Sequence, residues 1–452
     1  MTLRDLASHL GTGAQTAAAA VDTALTACAT VGREYNAIVD QGLRPTAEST
    51  TLDDTARAAA TAAGVRRDRG RPLSALDGVP FAIKDVIDLA GVTTTMGSRV
   101  APEAPAASSA RVVEKFEELG MVPVAKTTCH EHSYGIMGEE STHGKGVNPV
   151  RPGLLTGGSS YGSAIAVATG IVPVAIGTDT AGSVRVPAAC AGITGLKPTF
   201  GLVPTEGVSP LSPSLDTVGF FTRTPTDMLT LWNELAAHVG WAPASDRGQG
   251  AVRLGVLTSE LADNGGPWFD TFVRPTLQSL PGTELVAVDE EPFYFGRSAH
   301  VFAMIRGYET YQVHEPALQA GHRDFQPQVM RNLDNDASIS HEDYSDALTE
   351  LAELRRRAAE QLSPVDALVV PTLGTDPVEW EETTARTRDQ LRLYTQLFNL
   401  LGWPALSVPV RFLDAEPAEA PSRFPASVQF VMGPGADADL VGLVARLAAD
   451  PG

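Results

Sequence analysis

The stretch Thr156 to Gly201, TGGSSYGSAIAVATGIVPVAIGTDTAGSVRVPAACAGITGLKPTFG, constrains this chain more than any other. It sets small hydroxyl residues beside glycines twice, at Ser159 and Ser160 and again at Ser183. Between them, SAIAVATG reads as a small-residue helix and IVPVAIGTDT as a strand. Glycine beside serine puts backbone N–H groups and a hydroxyl into one tight turn. Both clusters fall where an element ends, and such turns suit nucleophilic catalysis better than packing.

The same alternation runs through the rest of the chain. VPFAIKDVIDLAG has apolar residues flanking a single lysine, Lys84, in what reads as a buried strand. Ser109 to Leu119 is an amphipathic helix stopped by Gly120, and MVPVAKTT after it is a buried strand, which is βαβ-like spacing. Residues 1–63 are Ala-rich and helix-forming, and Asn36 to Asp40 reads as a short strand or turn. Thr224 to Val239 is a helix, Val252 to Thr258 a strand, and about Val288 to Gln361 helical, with a capping box at Ser340 and Asp343. DALVVPT and PALSVPV read as strands around a helix at Asp389 to Leu401. A Pro/Ala/Glu-rich loop from Asp414 to Pro425 precedes the strand SVQFVM and a closing helix.

Composition removes several function classes. With 43% hydrophobic and 19% charged residues, the 452-residue chain has ample material for a core. Its 34 basic residues against 54 acidic ones give a formal charge of −20, which repels nucleic-acid phosphates and anionic lipid. Cys28, Cys129 and Cys190 form no disulfide framework. The amino terminus has acidic residues at Asp5 and Asp22 and no signal-peptide core, and no apolar run reaches about 18 residues. The expectation is a cytoplasmic protein, a monomer or homodimer, with no nucleic-acid or membrane partner.

A serine nucleophile needs a base and oxyanion donors. TDTAGSVR supplies candidate donors in the N–H groups of Thr180, Ala181, Gly182 and Ser183. None of the nine histidines sits in a recognisable triad context. The alternative base is Lys84, whose ordinary pKa of about 10.4 must fall by burial for it to act as a neutral amine.

The ordered motifs GVPFAIKD, TGGSSYGSAIAVATG and GTDTAGSVRVPAACAGITGLKPTFG resemble the amidase signature family of serine hydrolases. The likeness continues through Asp216 in SPSLDTVGFFTRT, with weaker traces at PALSVPV and SVQFVMGPGADADL. The resemblance implies an α/β fold: one large α/β/α domain over 1–452 with a central mixed, twisted sheet covered by helices. Its signature core spans 75–220, and 288–362 is a peripheral helical segment and candidate lid. It also implies a relay in which neutral Lys84 takes a proton from Ser159, Ser159 takes one from Ser183, and Ser183 attacks the carbonyl. Ser160, Arg185 and Asp216 match supporting positions, and no metal or organic cofactor is called for. Two residues depart from the family pattern: Tyr161 and Ala181 each stand where it has glycine.

Rival readings are weaker. GSSYG satisfies a G-x-S-x-G elbow with Ser160 as an esterase nucleophile, but the strand required before it is missing. Cys129, His130, His132 and His143 form a zinc-like group, whereas the family comparison aligns Glu131 with a recurrent glutamate. GEESTHGKG echoes a P-loop without the Ser or Thr after Lys145. The amidase component of a tRNA-dependent amidotransferase uses the same relay to release ammonia for a partner. EHSYGIMGEESTHG resembles the subgroup with indole-acetamide hydrolases, so a small aromatic amide or carbamate is the expected substrate, with Ser133, Tyr134 and Met137 lining the acyl pocket.

Overall fold

Runs such as PFAIK and VAIGTD have no polar face, so a strand made from them needs cover on both sides. The computed structural model, which describes residues 1–39, 51–102, 104–244, 251–257, 273–289, 295–375, 378–413 and 426–448, buries both completely. The strands are β1 (Pro80–Lys84), β2 (Val122–Thr127), β3 (Val174–Asp179), β4 (Thr194–Lys197), β5 (Thr217–Thr222), β6 (Val252–Leu257), β7 (Thr283–Val288), β8 (Ala367–Pro371), β9 (Ala405–Pro409) and β10 (Ser427–Val431). They form one ten-stranded sheet in the order β2-β1-β3-β5-β4-β9-β10-β8-β6-β7. It is mixed, as expected: β1 runs parallel to β2 and β3, and β6 parallel to β7 and β8, while the central pairs from β3 to β8 are antiparallel.

Helices cover the sheet. The first four are α1 (Leu3–Thr12), α2 (Ala17–Ala29), α3 (Val31–Glu34) and α4 (Leu52–Asp68), of which α1 and α4 begin with reciprocal Thr–Asp caps. The signature region supplies α5 (Arg111–Glu118), α6 (Tyr161–Ala168) and α7 (Arg185–Ala191). Then come α8 (Pro225–Val239), α9 (Arg274–Ser279), α10 (Phe295–Gln319), α11 (Pro327–Asp336), α12 (His341–Leu362), α13 (Ala385–Arg392), α14 (Gln396–Leu400) and α15 (Asp437–Leu447). The expected cap of α12 is present: the Asp343 amide donates to Ser340 Oγ at 3.1 Å, and the Ser340 amide to the Asp343 carboxylate at 2.9 Å.

Several elements differ from the sequence reading. β4, β5 and β7 are strands that it did not single out: β4 is four residues long, and β7 is a half-exposed edge. Val288, where the helical stretch was expected to start, is the last residue of β7, and the stretch contains three helices, α10 to α12. The helix expected from Asp389 to Leu401 is broken between α13 and α14, where Thr395 Oγ1 donates to the Ala181 carbonyl at 2.5 Å. Ile38 forms an isolated bridge with Thr127, while Asp40 and the 414–425 loop lie outside the described residues. The three cysteines are free thiols, and no described helix is long and apolar enough to cross a membrane.

Candidate active site

Strand register places the lysine. Ile83 pairs with Ile176 across the parallel β1/β3 ladder, so Lys84, the last residue of β1, comes level with the end of β3. Its side chain is fully buried; Nζ lies 2.7 Å from Ser159 Oγ and 2.8 Å from Thr178 Oγ1. Burial pushes its pKa down from the ordinary 10.5 to about 8, against the opposing pull of Cys129, Asp216 and Asp179. A pKa of about 8 leaves roughly a tenth of the amine uncharged at pH 7.

The two serine turns meet beside it. The Gly158–Ser159 peptide is cis, the Ser159 carbonyl accepts from the His130 amide at 3.1 Å, and the Ser160 amide donates to the Ser183 carbonyl at 3.3 Å. That last bond joins the two motifs. Ser160 opens α6, and its buried hydroxyl is occupied by β3, donating to the Thr178 carbonyl at 3.1 Å and accepting from the Thr178 amide at 3.3 Å. Such a hydroxyl holds backbone, which speaks against the elbow reading.

After β3 the chain turns through Thr180 to Val184 into α7, wrapped around the Asp179 carboxylate. Oδ1 accepts from the Gly182 amide at 2.8 Å, Oδ2 from the Val184 amide at 3.1 Å, and the two oxygens take Arg185 Nη2 and Nε at 2.9 and 3.0 Å. Burial alone would raise this acid; the Arg185 guanidinium and the hydrogen bonds overcome it and hold Asp179 well below the usual carboxylate range. Arg185, fully buried, also reaches Gln429 Oε1 at 2.9 Å and Asn399 Oδ1 at 2.7 Å. The sequence reading named Arg185 but not Asp179, Asn399 or Gln429. Asp179 was legible inside GTDTAGS; its distant partners had no local signal.

This wrapping engages one of the four expected donors. The Gly182 N–H is aimed at Asp179, so the turn's remaining backbone donors are Thr180, Ala181 and Ser183. Gly182 has φ 124°, and a Cβ there would stand 2.3 Å from Thr395 Oγ1, so only glycine fits. Ala181 is not in the left-handed region, which makes its methyl compatible with the turn. Tyr161, the other departure, is fully buried at the start of α6, and its hydroxyl donates to the Gly144 carbonyl at 2.8 Å. Gly146 makes the room: a Cβ there would lie 2.7 Å from the tyrosine ring.

Asp216 fastens the turn from the other side, accepting from Thr180 Oγ1 at 2.6 Å and from the Leu211 and Ser212 amides at 2.8 and 3.0 Å. Burial raises its pKa to about 6, against those hydrogen bonds.

The three residues expected in the acyl pocket have separate surroundings. Tyr134 donates to Asp336 of α11 and packs with Leu211, Phe325, Val329 and Leu333. Met137 packs with Leu155, Val186 and Leu373. Ser133 has φ 61° and a buried hydroxyl with no partner. Among the described residues no group of three or more His, Cys, Asp or Glu side chains is placed to hold a metal ion; His143 of the zinc-like group is instead bonded to Thr95 Oγ1 at 2.9 Å.

The mixed ten-stranded α/β sheet that carries the paired serine turns and the buried lysine is that of the amide hydrolases. The chain belongs to the amidase signature family, which hydrolyses C–N amide bonds: the family model described as Amidase matches residues 39–441. It is 33% identical over 404 residues to one component of the glutamyl-tRNA(Gln) amidotransferase of Chloroflexus aurantiacus, covering 80% of this chain and 82% of that one. It is 33% identical over 405 residues to 2-amino-5-chloromuconic acid deaminase of Comamonas testosteroni, covering 86% and 85%. A crystal structure of an amidase superposes with a TM-score of 0.85 at 31% identity, covering 99% of both chains.

Proposed function

We propose that this protein cleaves the C–N bond of a small carboxamide or a related aryl amide, carbamate or hydrazide through an acyl-enzyme on Ser183. The observation that carries the reading is Lys84 Nζ, buried and 2.7 Å from Ser159 Oγ, with the Ser159–Ser160 turn bonded to the backbone of Ser183. Uncharged Lys84 accepts the Ser159 proton while Ser159 accepts that of Ser183. The Ser183 oxygen bonds to the carbonyl carbon, and the resulting oxyanion takes hydrogen bonds from the N–H groups of Thr180, Ala181 and Ser183. The C–N bond then breaks as the relay returns its proton to the leaving nitrogen. Water, deprotonated by the same route, releases the acid and restores Ser183. Esters of the same acids are side substrates, since an alkoxide can leave the tetrahedral intermediate without prior protonation whereas an amide nitrogen must be protonated first.

The three free thiols support a reducing, cytoplasmic setting, and we propose a free-standing monomer or homodimer. A second reading, an ammonia-releasing component working for a partner, is favoured by the likeness to the amidotransferase. Two measurements on the purified chain separate the readings. A fluorophosphonate probe located by peptide mass spectrometry is expected on Ser183; adducts on Ser160, or none, contradict the relay. Turnover of simple amides, anilides, carbamates and hydrazides without any partner supports the free-standing hydrolase, and glutamine hydrolysis appearing only with a partner supports the amidotransferase component.

A further inference from the structure

The helical segment contains a carboxylate that the chemistry above does not use. Glu309 of α10 accepts from Ser212 Oγ at 2.6 Å and from the Ser214 amide at 3.1 Å on one oxygen, and from the Tyr344 hydroxyl of α12 at 3.0 Å on the other. Next to it, Thr310 Oγ1 donates to the Leu211 carbonyl at 3.0 Å. All the bonds to the sheet side end on one short loop, 211–216. The last residue of that loop is Asp216, which folds back onto the loop's own amides and grips the Thr180 hydroxyl at 2.6 Å.

A second contact reaches the same turn without hydrogen bonds. The Ala181 side chain packs against an apolar cluster made by Leu215 of the loop, Val301, Phe302 and Ile305 of α10, and Ala347 and Leu351 of α12. A glycine at 181 would have no side chain to place there. The polar clamp and the methyl contact therefore fix consecutive residues of the oxyanion turn from the same pair of helices.

We propose that Glu309 is a positioning residue for the oxyanion turn: through Ser212, Ser214 and Asp216 it sets where the Thr180 and Ala181 N–H groups point. The inference rests on the acyl-enzyme reading above. Three donors converge on the two Glu309 oxygens, so the side chain ties the loop to α10 and α12 at one point. Oxyanion donors act only when aimed at the position where charge develops, so a small drift of the turn costs rate rather than substrate binding. It follows that α10 and α12 stay docked during acylation; a segment that swung away would release the turn.

The test is a double-mutant cycle between Glu309→Gln and Thr180→Val, the latter keeping the backbone N–H but losing the link to Asp216. kcat and KM are measured per site titrated with fluorophosphonate, which removes any unfolded fraction. Each single variant is expected to lose about tenfold in kcat, equivalent to roughly 1.4 kcal/mol, with KM within about twofold. The double variant is expected to fall no further than the worse single one, because both cut one chain of contacts. Multiplicative losses of about a hundredfold, an effect on KM alone, or an unchanged kcat in Glu309→Gln would overturn the proposal. If Glu309→Gln does not fold, Ser212→Ala replaces it in the cycle with the same expectations. Wild-type protein that takes no label on Ser183 refutes the underlying reading separately, and the coupling is then read from rates per folded chain.

Discussion

Lys84 and Lys126 stand on adjacent parallel strands, one register step apart, and both ammonium groups are buried. Ile83 faces Lys126 and Lys84 faces Thr127, so the two lysines point to opposite sides of the sheet. On one side, Lys126 Nζ lies 3.1 Å from Asp85 Oδ1 and donates to the Ile87 carbonyl at 2.5 Å and Thr94 Oγ1 at 3.0 Å. On the other, the hydrogen-bond partners of Lys84 are two hydroxyls, on Ser159 and Thr178. Burial lowers both pKa values, and a carboxylate in contact opposes the shift only at Lys126. The lesson is that burial alone does not make a lysine a base. Lys197 is equally buried and donates to the Pro198 carbonyl, so on the proposed relay what sets Lys84 apart is its pair of hydroxyl partners, which give a proton somewhere to travel.

The comparison breaks most visibly on replacing each lysine by methionine. Lys84→Met is expected to lower kcat about 10⁴-fold, the upper end for a lost general base, in assays on the best amide substrate. The same change is expected to raise Tm at pH 7. The folded state binds this proton more weakly than the unfolded chain, so between about 8 and the ordinary 10.5 stability rises with pH, and below that window the charged amine is a full cost that methionine relieves. Lys126→Met should do the reverse. It leaves Asp85 buried without its cation, so denaturant titration should show a loss of about 3–5 kcal/mol, with kcat per folded chain within a few-fold of the parent.

Two smaller changes sharpen the contrast. Thr178→Val removes one acceptor that favours the ammonium form of Lys84. Its pKa should fall by about half a unit, moving the acid limb of kcat/KM towards lower pH. Ser160→Ala should cost about 1 kcal/mol of stability and less than about tenfold in rate, since its hydroxyl supports Thr178. Complete loss of acylation in that variant would restore the elbow reading.

What was legible in the chain follows the range of the forces involved. Lys84 between apolar neighbours, glycine–serine turns at element ends and the Ser340 cap are local patterns, and all fell where the residues put them. Asp179 and its neighbours Gly182, Val184 and Arg185 lie together in GTDTAGSVR; what leaves no local signal is the set of partners more than 200 positions away: Asn399 at a separation of 220 from Asp179, and Gln429 at 244 from Arg185. Glu309 was hidden for the same reason, being one acid on a long helix until the 211–216 loop docks on it. Gly182 looked like an oxyanion donor because sequence gives the turn but not which amide faces inward. β7 escaped as a half-exposed edge strand, and the break between α13 and α14 reflects a tertiary bond from Thr395 to Ala181 rather than any breaker residue.

The central claim is that an uncharged Lys84 drives acylation of Ser183. The most direct measurement is the pH dependence of the rate of Ser183 labelling by a neutral fluorophosphonate, followed between pH 5.5 and 10 as pseudo-first-order kinetics. The account predicts a rate that rises tenfold per unit below a single midpoint near pH 8 and is flat above it, with that limb absent from the residual rate of Lys84→Met. A rate already flat from pH 6 upward, or a Lys84→Met variant that keeps both the rate and the limb, would contradict it.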